Sequence, residues 1–394
     1  MSVPRLEDLR ELEGARVLLR LDLNVPVAEG EVRDDTRIHA ALPTLRWLLE
    51  RAEVVAACSH LGKARGSPDP AYSLRPVAAV LERELGRPVR FVPDCIGPEV
   101  HRAVEAGGLL LLENLRFHPG EKANDPGFAR ELAFPFTHYV NDAFGTAHRA
   151  HASVVAAARL FGAGRRAAGR LMEAEVSALR RVVDDPEQPF VAVVGGAKVS
   201  TKTAPLMALL ERVRRLAIGG GMANTFLLAR GREVGRSLVE ASEVPTAQRV
   251  MESAEARGVE LLLPTDVVVT DSLEGPTRVE TVPVEAIPAD LMVVDIGPAT
   301  RQAFAAALAD ARTVFWNGPM GVFEVEAFAA GTVAVAEAMA ACPGFTVVGG
   351  GESVMAVHRA GVADRMSHVS TGGGASLALV SGETLPAVEA LEES

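Results

Sequence analysis

Short apolar runs rich in valine and leucine alternate along this chain with longer stretches of helical spacing, and that alternation restricts its fold more than any other feature. Strands separated by helix-length connections favour parallel pairing, so the pattern predicts an α/β protein with mostly parallel sheets flanked by helices. In the first half the strand candidates are Val17–Leu21, Val54–Cys58, Leu109–Leu112 and Tyr139–Val140. In the second half they are Phe190–Val194, Leu216–Ile218, Leu261–Leu263, Met292–Asp295, Val314–Trp316 and Thr346–Val348. At 394 residues the chain is too long for one ordinary core, and two domains are expected.

Between the halves, Met172, Val176, Leu179 and Val183 recur at helical spacing, and Asp184-Asp185-Pro186-Glu187-Gln188-Pro189 then breaks the helix. The expected division is a first domain over 1–170, a connecting helix and linker over 171–186, and a second domain over 187–378.

The net charge of −11 argues against a nucleic-acid partner. It is unevenly spread: residues 1–170 carry 23 basic and 22 acidic side chains, whereas 171–394 carry 17 and 29. A small anionic ligand is therefore better held by the first half. No run approaches the roughly 20 apolar residues of a membrane span, and the start, Met1 to Asp8, is charged and lacks a signal-peptide apolar segment. Cys58, Cys95 and Cys342 are far apart and lack metal-ligand spacing, as expected of buried thiols in a reducing cytoplasm. Only four of the 40 basic residues are lysine: Lys63, Lys122, Lys198 and Lys202. Each is worth attention, because an ammonium and a guanidinium do different work.

In the first half, polar residues follow the strands. Asp22 and Asn24 follow the first, with Asp34-Asp35-Thr36-Arg37 beyond; Ser59, His60 and Lys63 follow the second; Arg116 and His118 the third; and His148, Arg149 and His151 the fourth. In a parallel sheet Arg37, His60, Lys63, Arg116 and Arg149 share one edge, and four permanent cations with an imidazole suit a small phosphorylated acid. Asp22 and Asn24 can bond a substrate hydroxyl. His118 and His151 are expected to be structural, His148 is open to either role, and Asp34-Asp35 reads as a solvated turn.

In the second half, glycine clusters at 195–196, 219–221, 349–351 and 372–374, and all but the last directly follow a strand candidate. Such turns bring backbone N–H groups close to phosphate or base. Lys198 and Lys202 follow the first pair at i and i+4, which predicts one helical face directed at phosphates. Asn317 to Glu324 follows another strand and can line a nucleoside pocket, and Gly349-Gly350-Gly351-Glu352-Ser353 sets a carboxylate and a hydroxyl where Mg²⁺ would be served.

The stretches Arg20–Pro26, Ser59–Lys63, Leu112–His118, Tyr139–His151, Gly195–Lys202, Trp316–Glu324, Gly349–Ser353 and Ser370–Ser376 together resemble the phosphoglycerate kinase family, in that family's order and over nearly the whole chain. The resemblance implies two Rossmann-like domains with a cleft between them, and a tail over 379–394 that returns to the first domain. It implies 3-phosphoglycerate contacts at Asp22, Asn24, Arg37, His60, Lys63, Arg116 and Arg149, with Arg37 at the transferring group. Lys198 and Lys202 would face the nucleotide phosphates. Gly196, Ala197, Asn317 and Glu324 would form the nucleoside pocket, with Gly350, Gly351, Glu352 and Ser353 beside the phosphates. Glu352 would meet Mg²⁺ directly or through water, and Gly373 and Gly374 would open a helix at the transfer site. Lys63 stands where the family usually has arginine, and Glu352 where it commonly has aspartate. The implied activity is reversible in-line phosphoryl transfer between ATP and 3-phosphoglycerate, by a cytoplasmic monomer that closes around its substrates.

Three other readings fit less well. A nicotinamide dehydrogenase would carry G-x-G-x-x-G after a strand, and a P-loop NTPase would carry G-x-x-x-x-G-K-[ST]; neither occurs. A non-catalytic nucleotide binder could dispense with Arg37 and Lys198, and both are present.

Overall fold

The computed structural model describes residues 3–393. Its chain separates into two compact units, Met1–Ser177 with Thr384–Ser394, and Ala178–Glu383. The division falls inside the helix Arg170–Asp184, whose Met172, Val176, Leu179 and Val182 are buried. The helix Pro386–Glu392 packs in the first unit, against Arg166–Ala168 and the turn Ala158–Leu160.

The first unit is built on six parallel strands in the order Arg90–Val92, Gly108–Leu112, Val54–Cys58, Arg16–Leu21, His138–Asp142, Arg166–Ala168. Val54–Cys58 and His138–Asp142 are buried throughout, as expected for central strands covered by helices on both faces. Arg90–Val92 and Arg166–Ala168 were not among the strand candidates. Each is three residues long and begins with arginine, so neither stands out as an apolar run.

The second unit repeats the scheme with Glu260–Leu262, Arg215–Ile218, Phe190–Val194, Thr313–Asn317, Phe345–Gly349 and His368–Val369, again all parallel. Its first strand lies between the second and fourth in that order, so the chain winds outward both ways from Phe190–Val194. Ligands of open α/β sheets bind outside the carboxyl ends of strands at such a reversal, here where Val194 and Asn317 end.

One expectation is corrected. Met292–Ile296 is a strand, but it belongs to a separate three-stranded antiparallel sheet with Asp266–Thr270 and Val279–Pro283. The outer strand alternates between exposed and half-exposed residues, so its sequence carries little apolar signal. Asp266–Thr270 follows Leu261–Leu263 after only Pro264 and Thr265, a spacing that leaves little room for a separate element.

Candidate active site

In the first unit the helix Thr36–Leu49 begins after Asp34-Asp35, and the Asp34 carboxylate accepts from Thr36 N at 2.8 Å. That start puts Arg37 in the first turn, where Nη1 donates to Asn24 O at 2.9 Å and to Asp22 Oδ1 at 3.3 Å. Asn24 Oδ1 accepts from Gly62 N at 2.8 Å, and Gly62 O accepts from Arg116 Nη1 at 2.6 Å. The ends of three strands are thereby tied together. Asn114 fastens the same turn, accepting from Leu61 N at 3.2 Å and donating to Leu61 O at 2.8 Å.

His60 is buried among these cations. Its basicity is held well below the ordinary imidazole value, first by burial and then by the charges of Arg20, Arg116, Arg149 and Arg37. The ring is therefore neutral at physiological pH. Arg116 is itself buried, and burial followed by the charges of Arg149 and Arg20 lowers its affinity for its proton. Its Nε has no hydrogen-bond partner among the described residues. A buried guanidinium with an unused donor is costly unless an anion reaches it. Arg149 and Lys63 are exposed at the rim, and Arg149 Nε donates to His148 Nε2 at 3.2 Å.

Three residues of this cluster were not assigned to it from sequence. Arg20 is fully buried in the first strand, with Nη2 at 3.2 Å from His60 Nδ1. Lys122 donates to Ala64 O at 2.9 Å, and burial, then Arg116, Arg149 and Arg65, depress its pKa. Its scarcity as a lysine was the available signal. Glu121 is fully buried beside Ser153 and is the internal carboxylate of the cluster. His118 is structural as expected, stacked on Phe128 and 2.8 Å from Asp94 Oδ1. His151 is pressed down to about 4 by burial and then by Arg116, Arg20, Arg149 and Lys122.

In the second unit two cavities share Gly196, Ala197 and Glu352 in their walls. The larger, about 450 Å³, is lined by Lys198, Lys202, Asn317, Gly350, Gly351, Gly373 and Gly374. Its floor admits only glycine at key points: a Cβ on Gly195 would lie 2.1 Å from Pro319 O, and one on Gly373 would lie 2.8 Å from Gly350 Cα. Backbone bonds join the strand ends, Gly195 N to Asn317 O at 2.9 Å and Gly196 N to Pro319 O at 3.0 Å. The helix Gly373–Val380 opens at this cavity and presents its unpaired N–H groups there.

The smaller cavity, about 260 Å³, is mostly apolar, walled by Leu238, Val267, Val293, Met320 and Val322 with Glu324 at its edge. Val267 and Val293 come from the antiparallel sheet, so the sheet missed in the sequence forms part of this wall. Asp295 also lines it, and burial raises its pKa to about 6 against hydrogen bonds from Gly331 N and Ile296 N.

The two lysines do not lie on one helical face. Residues 197–199 are irregular and 200–202 form a turn, and the helix begins at Thr203. Pro205 is the reason: a helix begun at 198 would carry it in the interior, whereas from Thr203 it falls in the first turn, where no intrahelical N–H bond is lost. Both lysines still reach one cavity. Lys202 Nζ bonds Asn317 Oδ1, and burial lowers its pKa to about 8 despite the opposing charge of Glu352. Lys198 and Glu352 are exposed to the cavity, whereas Ser353 is not brought to its wall. The Ser353 side chain is fully buried, with Oγ accepting from Gly318 N at 2.7 Å.

Glu352 contributes a single carboxylate. Among the described residues the groupings of three His, Cys, Asp or Glu ligands are Asp94–Cys95–His118 and Asp35–His39–Glu84, both in the first unit. The cavity thus fits a cation carried in on phosphates rather than one caged by protein. Among the described residues no helix is long and apolar enough to cross a membrane.

Residues 6–383 match the family model described as phosphoglycerate kinase. The phosphoglycerate kinase of Moorella thermoacetica is 54% identical over 396 residues, with 100% of each chain covered. That of Rubrobacter xylanophilus is 55% identical over 385 residues, covering 97% of each. The solved structure of phosphoglycerate kinase from Coxiella burnetii superposes with a TM-score of 0.88 at 40% identity, covering 99% of each chain.

Proposed function

The chain belongs to the phosphoglycerate kinase family, and from that premise we propose how its residues transfer a phosphoryl group between ATP and 3-phosphoglycerate. The products are ADP and 1,3-bisphosphoglycerate, and the reaction runs both ways. The first unit binds 3-phosphoglycerate through His60, Lys63, Arg116 and Arg149, with Asp22 and Asn24 at the substrate hydroxyl. The second binds the nucleoside between Gly196, Ala197 and Glu324, and the phosphates at Lys198, Lys202, Asn317, Gly350 and Gly351. Ser353 supports that site from beneath, through Gly318.

The observation that carries this reading is the convergence of Arg20, Arg116, Arg149 and Arg37 on one neutral imidazole. A polyanionic guest offsets the mutual repulsion of such a cluster. The acceptor carboxylate is ionised at neutral pH, with a reference pKa near ~4, so no general base is required. What remains is to align two anions and to neutralise charge spreading over the transferring phosphoryl. Arg37 supplies that charge from one unit; Lys198 and the N–H groups of Gly373 and Gly374 supply it from the other. Transfer therefore needs both sets at one phosphoryl, in a site closed to water. Glu352 would hold, directly or through water, the Mg²⁺ of the Mg-nucleotide substrate, which would offset charge on the phosphates. The unpaired thiols Cys58, Cys95 and Cys342 fit a reducing cytoplasm, where we place the enzyme as a monomer.

A coupled assay tests the reading: Mg-ATP and 3-phosphoglycerate together should yield ADP, and omitting either should abolish turnover. ADP release at the same rate without 3-phosphoglycerate would reject it.

A further inference from the structure

Glu121 lies outside every motif used above, yet it is the most deeply buried acid near the cationic cluster, with no exposure to solvent. It belongs to the short helix Pro119–Lys122. Its Oε2 accepts from Ser153 N at 2.9 Å and its Oε1 from Ser153 Oγ at 2.7 Å. Ser153, also fully buried, is in turn 2.8 Å from Arg20 Nε.

The direction of each bond follows from counting hydrogens. A guanidinium can only donate, so Ser153 Oγ accepts from Arg20 Nε. The single hydroxyl hydrogen is then free to go to Glu121, which accepts with both oxygens. The next link obeys the same rule. Arg20 Nη2 stands 3.2 Å from His60 Nδ1 and can only donate, so Nδ1 accepts. A neutral ring accepting at Nδ1 carries its hydrogen on Nε2. Arg20 Nη1 is occupied by Leu21 O. Arg20 is thus consumed within the protein, held by Ser153, Leu21 and His60.

We propose that Glu121 is a positioning residue for the 3-phosphoglycerate site: through Ser153 and Arg20 it fixes the tautomer of His60, leaving Nε2–H as the donor to substrate. This rests on the reading above that His60 contacts 3-phosphoglycerate. The electrostatics call for such a group. Arg20, Arg116, Arg149 and Arg37 all act on His60, and an internal anion keeps them from driving one another apart before substrate arrives. Glu121 already offsets part of the mutual repulsion at Arg116. Neither Glu121 nor Ser153 needs to touch substrate for this.

Three variants of the full chain test it: Glu121→Gln keeps the shape and removes the charge, Ser153→Ala removes the relay and leaves both charges, and Ser153→Thr retains a hydroxyl. Glu121→Gln and Ser153→Ala should each raise KM for 3-phosphoglycerate about tenfold, with kcat and KM for ATP within about threefold of the parent. Ser153→Thr should restore most of the affinity. Combining the two damaging changes should add little, because they break one chain. Nitrogen NMR of the His60 ring gives a readout that needs no substrate: the parent should show a single Nε2–H tautomer, and both damaging variants a mixture. An unchanged His60 tautomer in both, or KM values for the two substrates rising in parallel, would overturn the proposal and leave Glu121 a packing residue. If the parent itself fails to turn over 3-phosphoglycerate, the functional reading fails, and the tautomer comparison still decides the relay.

Discussion

Arg37 is held by Asn24 O and the Asp22 carboxylate, so the protein itself orients its guanidinium before any charge develops on a phosphoryl group. Such preorganised charge acts chiefly in the transition state. Arg37→Ala is expected to cut kcat roughly 10³-fold while changing KM for 3-phosphoglycerate far less. Steady-state kinetics check this, and a variant within threefold of the parent kcat contradicts the role. The lysines differ from each other in the same sense. Lys198 is exposed to the cavity and Lys202 is half-buried against Asn317, so Lys198→Ala should cripple transfer and Lys202→Ala should mainly weaken binding. The lowered pKa of Lys202, about 8, adds a pH signature. The ammonium is present below that value and lost above it, so affinity for Mg-nucleotide should decline as pH rises through 8. Lys202→Arg keeps its charge and should flatten the profile in calorimetric titration.

At the scale of elements, the junction between the strand His138–Asp142 and the helix Arg170–Asp184 has a titratable pin. Asp142 Oδ1 accepts from Met172 N at 3.0 Å, Thr44 Oγ1 accepts from Arg170 N at 2.8 Å, and a Cβ on Gly169 would collide with the Asp142 carboxyl at 2.3 Å. Burial raises the Asp142 pKa from 3.8 to about 6, against the hydrogen bonds from Thr44, Met172 and Leu171. The folded-state value lies above the unfolded one, so the stabilising contribution is full below pH 3.8 and is lost as pH rises through 6. Between pH 4 and 7 the loss amounts to ~2 kcal/mol. Asp142→Asn should remove that slope from the stability of the first unit, as read by urea unfolding. An identical slope in parent and variant would place the titration elsewhere.

For the whole molecule, each unit carries one tryptophan, Trp47 in the first and Trp316 in the second. Trp47 sits in the helix that begins with Arg37, and Trp316 is fully buried in the strand that ends at Asn317. Each therefore reports one unit, and on the proposed assignment each unit binds one substrate. In single-tryptophan variants, 3-phosphoglycerate at a hundred times its Kd should stabilise the unit reported by Trp47 by about 2.7 kcal/mol, and Mg-ATP should do the same for Trp316. A shift of Trp316 alone with 3-phosphoglycerate would reverse the assignment of ligands to units.

The repeated βα pattern, the polar residues at strand ends and the glycine turns were all legible in the sequence, because each depends on local period or on a residue type with one steric use. That is why Val54–Cys58 and Phe190–Val194 were read with their observed bounds, and why Arg37, His60 and Arg116 could be expected at one sheet edge. What escaped were features whose meaning depends on partners distant in the chain. Glu121 and Ser153 are 32 residues apart, and Ser153 and Arg20 are 133 apart, so no local pattern marks them as one network. The antiparallel sheet beside the smaller, apolar cavity was hidden because its outer strand Val279–Pro283 buries little. The lysine pair read as a helical face because i and i+4 spacing is a helical signal wherever a helix exists, and Pro205 delayed the helix to Thr203. Residue type and spacing thus determined which chemistry the chain could perform. Only the tertiary structure decided which side chains are buried together, and hence that His60 stays neutral and that Lys202 titrates near 8. Burial and the fields of neighbouring charges set those values, and both are properties of positions in space rather than of places in a sequence.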